Sequence, residues 1–252
     1  MILTIIIPTY NRKELLSYGL QSIARQNVPW PFEIIVLNEY CEDGTREICQ
    51  QYSNIRYVLT RPNLTSEQLV WRVPGTAINI GIKLAQSPII IIACPEMYLI
   101  EPDIISNLVT PLITNSKIMT RTIGYDDQHG VALDSLRNCT LFPELAYSKD
   151  FAELCTFYPF FLGMNRQEVI NIGGYDTEFN KGVCYDDTDF VHRMELNGCP
   201  HLLVPGNIVH LYHPRLRYGV ESVRDLLNIN KAYYTKMYMV INRNEGMDWG
   251  KL

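Results

Sequence analysis

Short, almost wholly apolar runs alternate with segments of helical spacing along the first part of the chain. Leu3-Thr4-Ile5-Ile6-Ile7, closed by Pro8, reads as a strand buried on both faces. From Lys13 to Gln26 the apolar residues Leu15, Leu16, Leu20, Ile23 and Ala24 share one helical face. Phe32 to Leu37 is a second buried strand. Asp43-Gly44-Thr45 opens a helix that runs to about Tyr52, and Ile55 to Leu59 is a third strand. Pro74 to Ala85 is helical, its proline near the first turn where a missing N–H is tolerated. Ser87-Pro88 stops it, and Ile89 to Ala93 is a fourth strand.

Strands alternating with helices predict an α/β fold with a mostly parallel, Rossmann-like sheet flanked by helices. Ligands of such sheets sit beyond the carboxyl ends of the strands. That directs the search to Pro8–Arg12, Asn38–Asp43 and Cys94–Tyr98.

The second half is less regular. Pro102 to Thr114 reads as a helix and Lys117 to Arg121 as a strand. Ile123 to about Asp150 has few periodic cues and reads as a long loop, a candidate lid over a ligand. Gln167–Ile172 and Asp186–Asn197 read as short helices, each followed by glycine, and His201–Val204 and Asn207–Tyr212 as short strands. Glu221 to Asn242 is a long, amphipathic, Tyr-rich helix that packs on the rest of the chain or meets a second copy or a lipid surface. The pattern holds no internal repeat and no linker. It predicts one domain over 1–215, with a nucleotide-binding half over 1–100 and an acceptor-side half over 101–215, then a C-terminal helical extension over 216–252.

Composition narrows this further. At 47% hydrophobic and 19% charged, the 252 residues can bury a sizeable core. A formal charge of −5 argues against gripping nucleic acid by neutralising phosphates. An anionic ligand bridged by a metal cation stays compatible with it. No run approaches the roughly 20 apolar residues that span a bilayer. Met1-Ile2-Leu3-Thr4-Ile5 has neither a basic leader nor a cleavage site. Seven cysteines without a C-x-x-C pair predict reduced, mostly buried thiols. A cytoplasmic globular protein is expected, with peripheral contact at the inner face of a membrane as a variant.

Five places carry candidate chemistry, and each has a plainer account. In Pro8-Thr9-Tyr10-Asn11-Arg12 the tyrosine is suited to lie against a nucleobase, though these are also ordinary turn residues. Glu39 is suited to accept from a ribose hydroxyl or a base N–H, or it is loop polarity. Asp43 is read as a helix N-cap. Glu96, in Cys94-Pro95-Glu96, is suited to hold a divalent cation together with phosphate oxygens, or it is a surface glutamate. Asp186, Asp187 and Asp189 open a helix, where acidic residues favour the dipole, and Asp189 with Arg193 reads as a routine i,i+4 surface pair. Asp187 faces away from Asp189 and is suited to be a general base. His210 is suited to complete a metal shell begun by Glu96, while His129 and His201 are read as structural.

In order along the chain, these motifs resemble family 2 glycosyltransferases of the GT-A fold. The likeness covers about residues 3 to 215. It runs through Thr4-Ile5-Ile6-Ile7-Pro8-Thr9-Tyr10-Asn11-Arg12, Gln21-Ser22-Ile23, Glu33–Leu37, Asp43-Gly44-Thr45 and Pro74–Ile82. On the acceptor side it includes Phe161–Asn165, Gly173-Gly174-Tyr175-Asp176 and Asp186-Asp187-Thr188-Asp189. The chain departs from that family's pattern at three places. Asn38-Glu39 stands for paired aspartates, Cys94-Pro95-Glu96 for Asp-x-Asp, and Ile78 for a common arginine.

The resemblance implies that Pro8, Thr9, Tyr10, Arg12 and Glu39 hold the nucleotide, with Arg72 and His213 at its diphosphate. Glu96 and His210 would be the metal ligands and Asp187 the base. The implied reaction is inverting, metal-dependent transfer of a sugar from a nucleotide diphosphate donor to an acceptor hydroxyl. The donor favoured is a UDP-sugar, the cation Mn²⁺ or Mg²⁺, and the acceptor a glycan, a lipid-linked saccharide or another hydroxyl compound. The alternatives are a non-catalytic sugar-nucleotide-binding protein and a sugar-phosphate nucleotidyltransferase. The latter usually has a Gly-rich phosphate loop, and Pro8–Lys13 has no glycine.

Overall fold

The computed structural model describes residues 1–39, 42–60, 73–143, 149–214 and 221–252. The proposed diphosphate contact Arg72 lies outside the described residues.

The first half builds a parallel sheet from strands β1 (Leu3–Thr9), β2 (Phe32–Asn38), β3 (Ile55–Leu59) and β4 (Ile89–Ala93). Helices α1 (Lys13–Ala24), α2 (Thr45–Cys49) and α3 (Gly75–Leu84) connect them. The second half adds β5 (Met97–Leu99), α4 (Ile104–Thr114), β6 (Met119–Asp127), α5 (Val131–Arg137), β7 (Phe151–Leu154) and β8 (Phe161–Asn165). It continues through α6 (Arg166–Asn171), a 3₁₀ turn (Thr177–Lys181), α7 (Asp186–Leu196), β9 (His201–His210) and α8 (Glu221–Met237).

The nine strands of the described residues form one sheet in the order β3-β2-β1-β4-β8-β6-β9-β5, with β7 paired to β6. Strand β8 runs antiparallel to β4 and β6, while β6 and β9 are parallel. One face packs on α1 and α4 through Leu16, Leu20, Ile105 and Leu108. The other packs on α3, α6 and α7 through Ile78, Ile82, Val169 and Phe190. Helices on both faces explain why β1 and β4 are apolar at nearly every position.

Several boundaries differ from the sequence reading, each for a local reason. Strand β1 passes through Pro8, which pairs with Leu37 of β2, because pairing with β4 has already stopped at Ile6. A proline lacking an N–H is tolerated where a neighbouring strand no longer needs that donor. Helix α2 ends at Cys49 rather than near Tyr52; its continuation tightens into i→i+3 bonds such as Tyr52 N to Cys49 O at 3.2 Å. The two short strands expected around Pro205-Gly206 are one strand, β9, whose pairing with β6 shifts register there.

The segment expected as a long loop after Ile123 is largely ordered among its described residues. Strand β6 continues to Asp127, and α5 follows with Ala132 and Leu133 buried. Arg137 of α5 binds both carboxylate oxygens of Glu14 at 2.7 and 2.8 Å. Strands β5, β7 and β8 were not marked by the periodicity, being short or carrying Gly163 at a close approach to Thr120. Nor are the cysteines mostly buried. Of the six described, Cys49 and Cys199 are buried, Cys94 and Cys184 half-buried, and Cys139 and Cys155 exposed.

Helix α8 packs on the turn before α7. Asn230 donates to Phe179 O and Cys184 O, both at 2.9 Å, and the Tyr233 hydroxyl donates to Asp176. No helix among the described residues is long and apolar enough to cross a membrane.

Candidate active site

The site forms at the carboxyl ends of the parallel strands, where β1, β2 and β4 run out of partners. The Glu39 N–H donates to Thr9 O at 2.9 Å, which sets the ends of β1 and β2 side by side. Pro8, Thr9 and Glu39 are buried and Tyr10 is exposed, so this corner offers an aromatic ring beside a sheltered carboxylate. The Thr9 hydroxyl is buried without a hydrogen-bond partner among the described residues. Such a group is costly unless something bonds to it.

Just beyond Thr9 the backbone turns through Asn11 at φ 51°, a left-handed conformation that asparagine tolerates. The turn sends the Arg12 side chain across to the end of β4. There Arg12 Nε lies 2.8 Å from Glu96 Oε1, and an Arg12 terminal nitrogen lies 3.3 Å from His213 Nδ1.

Two strand registers bring the histidines to Glu96. Antiparallel pairing of β5 with β9 sets Met97 opposite His210, and the Leu211 N–H donates to Glu96 O at 3.0 Å. Parallel pairing of β6 with β9 sets Asp126 opposite His210, with its Oδ1 3.3 Å from His210 Nδ1. Glu96, His210 and His213 each offer a ligand atom, all within 4.8 Å of one another. His213 Nε2 lies 3.8 Å from Glu96 Oε1. Burial lowers the His213 pKa, which favours the neutral imidazole that binds metals.

These residues fit a divalent cation. One carboxylate and two imidazoles, with phosphate and water completing the shell, make a donor set suited to Mn²⁺. A His210 Nδ1–H directed at Asp126 would leave Nε2 available to a cation, the arrangement that carboxylates impose on metal-binding histidines.

Asp187 stands in the first turn of α7. Cys184 and Tyr185 before it both have left-handed φ, 58° and 66°, a strained entry of the kind that gathers at functional sites. The Tyr175 hydroxyl donates to Asp187 Oδ1 at 2.9 Å. Burial raises the Asp187 pKa to about 6 against this hydrogen bond, and Asp186 is pushed well up by burial and by the Asp187 charge. Burial lifts the pKa of the Cys94 thiol first, then the negative charges of Glu96, Asp187 and Asp186.

Thus Arg12 meets Glu96 and His213 directly, His210 offers a ligand atom within 4.8 Å of theirs, and the charges of Asp187 and Glu96 both raise the pKa of the half-buried Cys94 thiol. Pro8, Thr9, Tyr10 and Glu39 gather at the adjoining corner. Asp43 is not the N-cap expected from sequence: Gly44, at φ 89°, occupies that position, while Asp43 one residue earlier accepts from Thr45 N at 3.0 Å and from Lys13 N at 3.1 Å.

One sequence expectation is overturned here. Asp189 and Arg193 are not a surface pair; at 2.6 Å their side chains are 2% and 1% exposed. Asp189 also meets Arg243 at 3.0 Å, and Arg243 Nε lies 2.8 Å from Asp176. Sequence reasoning missed Asp126 altogether, because it sits in the stretch read as a loop. Its one signal was the continued alternation of polar and apolar residues past Arg121, which extends β6 to it.

The sequence model described as glycosyl transferase family 2 matches residues 4–168. The chain is 37% identical over 93 residues to the validoxylamine A glucosyltransferase of Streptomyces hygroscopicus subsp. limoneus, covering 35% of this chain and 19% of that protein. To the chondroitin synthase of Pasteurella multocida it is 24% identical over 246 residues, covering 84% of this chain and 25% of that protein. The chain therefore spans a quarter or less of the length of these relatives. Among solved structures, Staphylococcus aureus TarS 1–349 with UDP-GlcNAc superposes with a TM-score of 0.60 at 15% identity, over 94% of this chain and 66% of that one. The mannosyltransferase PcManGT of Pyrobaculum calidifontis, in complex with GDP-Man and Mn²⁺, gives 0.59 at 17%, over 93% and 64%. These likenesses show that the fold is the mixed α/β fold of GT-A glycosyltransferases.

Proposed function

The chain belongs to glycosyl transferase family 2, and we propose that it transfers a sugar, with inversion, from a nucleotide diphosphate donor to an acceptor hydroxyl. The observation that carries this is the Glu96, His210 and His213 cluster at the strand ends. The favoured donor is a UDP-sugar, by analogy with TarS, which was solved with UDP and UDP-GlcNAc.

In this reading Pro8, Thr9, Tyr10 and Glu39 hold the nucleoside, and the Thr9 hydroxyl gains the partner it lacks. Arg12, Arg72 and His213 would bind the diphosphate. Glu96 and His210 would hold Mn²⁺ or Mg²⁺, with His213 in reach of the same ion. A bound cation of this kind offsets the charge that develops on a departing diphosphate.

Asp187 removes the acceptor proton as the hydroxyl oxygen attacks from the face opposite the leaving group. A pKa near 6 leaves it mostly ionised at neutral pH yet basic enough to be effective, and such catalysis is typically worth about 10²–10⁴-fold. Tyr175 anchors one carboxylate oxygen and leaves the other for the acceptor. The domain division at residue 215 and a cytoplasmic setting are part of the proposal. So is contact of the exposed surface of the C-terminal region, through Ile229 of α8 and Met239 and Val240 just beyond it, with a second copy or a lipid surface.

The test is a panel of nucleotide sugars with Mn²⁺ or with EDTA, read by thermal shift and by release of nucleoside diphosphate. A Mn²⁺-dependent shift with a UDP-sugar, and slow UDP release that Asp187→Asn abolishes, is the expected result. A shift with no turnover in either protein would leave the non-catalytic binding reading in its place.

A further inference from the structure

Resting on the cation site just proposed, we infer that Arg12 is a built-in counter-cation. Its guanidinium takes the place of the divalent ion at Glu96 until nucleotide and metal arrive together.

The hydrogen bonds around His213 are what carry this. His213 Nδ1 lies 3.3 Å from an Arg12 terminal nitrogen and 3.0 Å from Pro214 O. A guanidinium only donates and a carbonyl only accepts, so one imidazole nitrogen cannot satisfy both. Without a hydrogen, Nδ1 accepts from Arg12. With one, it donates to Pro214 O and turns Arg12 away. In the second tautomer Nε2, which is 3.8 Å from Glu96 Oε1, has its lone pair free for a cation. The site thus has two mutually exclusive arrangements. In one, Arg12 pairs with Glu96 and His213; in the other, Glu96 and His213 Nε2 face a metal ion.

Charge and space agree with this. The Arg12 and Glu96 side chains are 28% and 10% exposed, so the pair is sheltered on the Glu96 side and free to open on the Arg12 side. Arg12 and His213 also line an open cleft of about 530 Å³, together with Lys13, Asp43 and Tyr212. The cleft gives a displaced guanidinium room to move, and a diphosphate oxygen is the natural bidentate partner for it. Metal and nucleotide would then each favour the arrangement that the other needs, a reciprocal coupling.

The test measures Mn²⁺ binding by the loss of the free-ion electron paramagnetic resonance signal, with and without UDP, and needs no turnover. Arg12→Met is expected to bind Mn²⁺ roughly tenfold or more tightly than the wild type when UDP is absent. Arg12→Met also loses its contact with the diphosphate, so UDP is raised to saturate each protein; at saturation the two should bind Mn²⁺ with similar affinity, so that UDP strengthens Mn²⁺ binding far less in the variant. Arg12→Lys, which keeps a cation there, should stay close to the wild type and excludes a mere packing effect. If Arg12→Met binds Mn²⁺ no more tightly than the wild type without UDP, the counter-cation role is overturned. If neither protein binds Mn²⁺ with or without UDP, the cation site itself is wrong, and the inference fails with it.

Discussion

Arg243 and Asp189 lie 54 residues apart in sequence and meet at 3.0 Å with both side chains 2% exposed. Asp189 is shared with Arg193, and Arg243 with Asp176, which also accepts from the Tyr233 hydroxyl. This buried network pins α7, two residues beyond Asp187, to α8 and to the segment after it. The segment following α8 thereby fixes the orientation of the helix that carries the candidate base.

Replacing Arg243 by methionine should therefore cost on the order of 3 kcal/mol of stability, the scale on which breaking a buried ion pair acts. Asp189 retains Arg193 and Asp176 retains Tyr233, which holds the loss to the lower end of the range. Urea denaturation checks it, and a change within 0.5 kcal/mol, as is usual at an exposed site, would contradict the burial described here.

Asp187 should govern the pH dependence of both rate and stability. Its pKa is raised to about 6 in the fold, against an ordinary 3.8 in the unfolded chain. Between those values the folded state holds a proton that the unfolded state has released, so this group makes stability fall as pH rises from about 4 to 6. Asp187→Asn should raise the melting temperature at pH 7 and have little effect near pH 4, while nearly abolishing transfer. Turnover by the wild type should rise with pH through about 6. Melting curves at the two pH values, beside a pH–rate profile, measure both.

Glu96→Gln keeps the shape of the side chain but removes the charge of the cluster. Donor binding by this variant should become insensitive to Mn²⁺, which calorimetric titration of UDP with Mn²⁺ or with EDTA resolves. Metal dependence equal to that of the wild type would exclude Glu96 as a ligand.

Asp126 should act through His210. Asp126→Ala is expected to weaken Mn²⁺ binding about 10–100-fold, with Asp126→Asn between it and the wild type, since an amide oxygen still accepts from Nδ1–H. Direct Mn²⁺ titration separates this graded loss from a structural effect, which would lower the melting temperature without grading the affinity.

The alternation of apolar strands with amphipathic helices made the α/β class and the first four strands legible, because a strand covered on both faces must be apolar throughout. Motif order carried the family, and from it came the roles proposed for Glu96, Asp187 and His210. What the linear pattern could not contain was register. Asp126 becomes His210's partner only because β6 and β9 pair in parallel with those residues opposite, and β5 sets Met97 against the same histidine. Burial was hidden in the same way. Asp189 and Arg193 have the spacing of any solvated helix pair, yet the carbonyls of Ile172 and Gly174 and the packing of the segment around Arg243 enclose them. Local periodicity depends on how each segment meets its own surroundings, whereas the contacts that orient ligands and bury charges depend on which distant segment arrives.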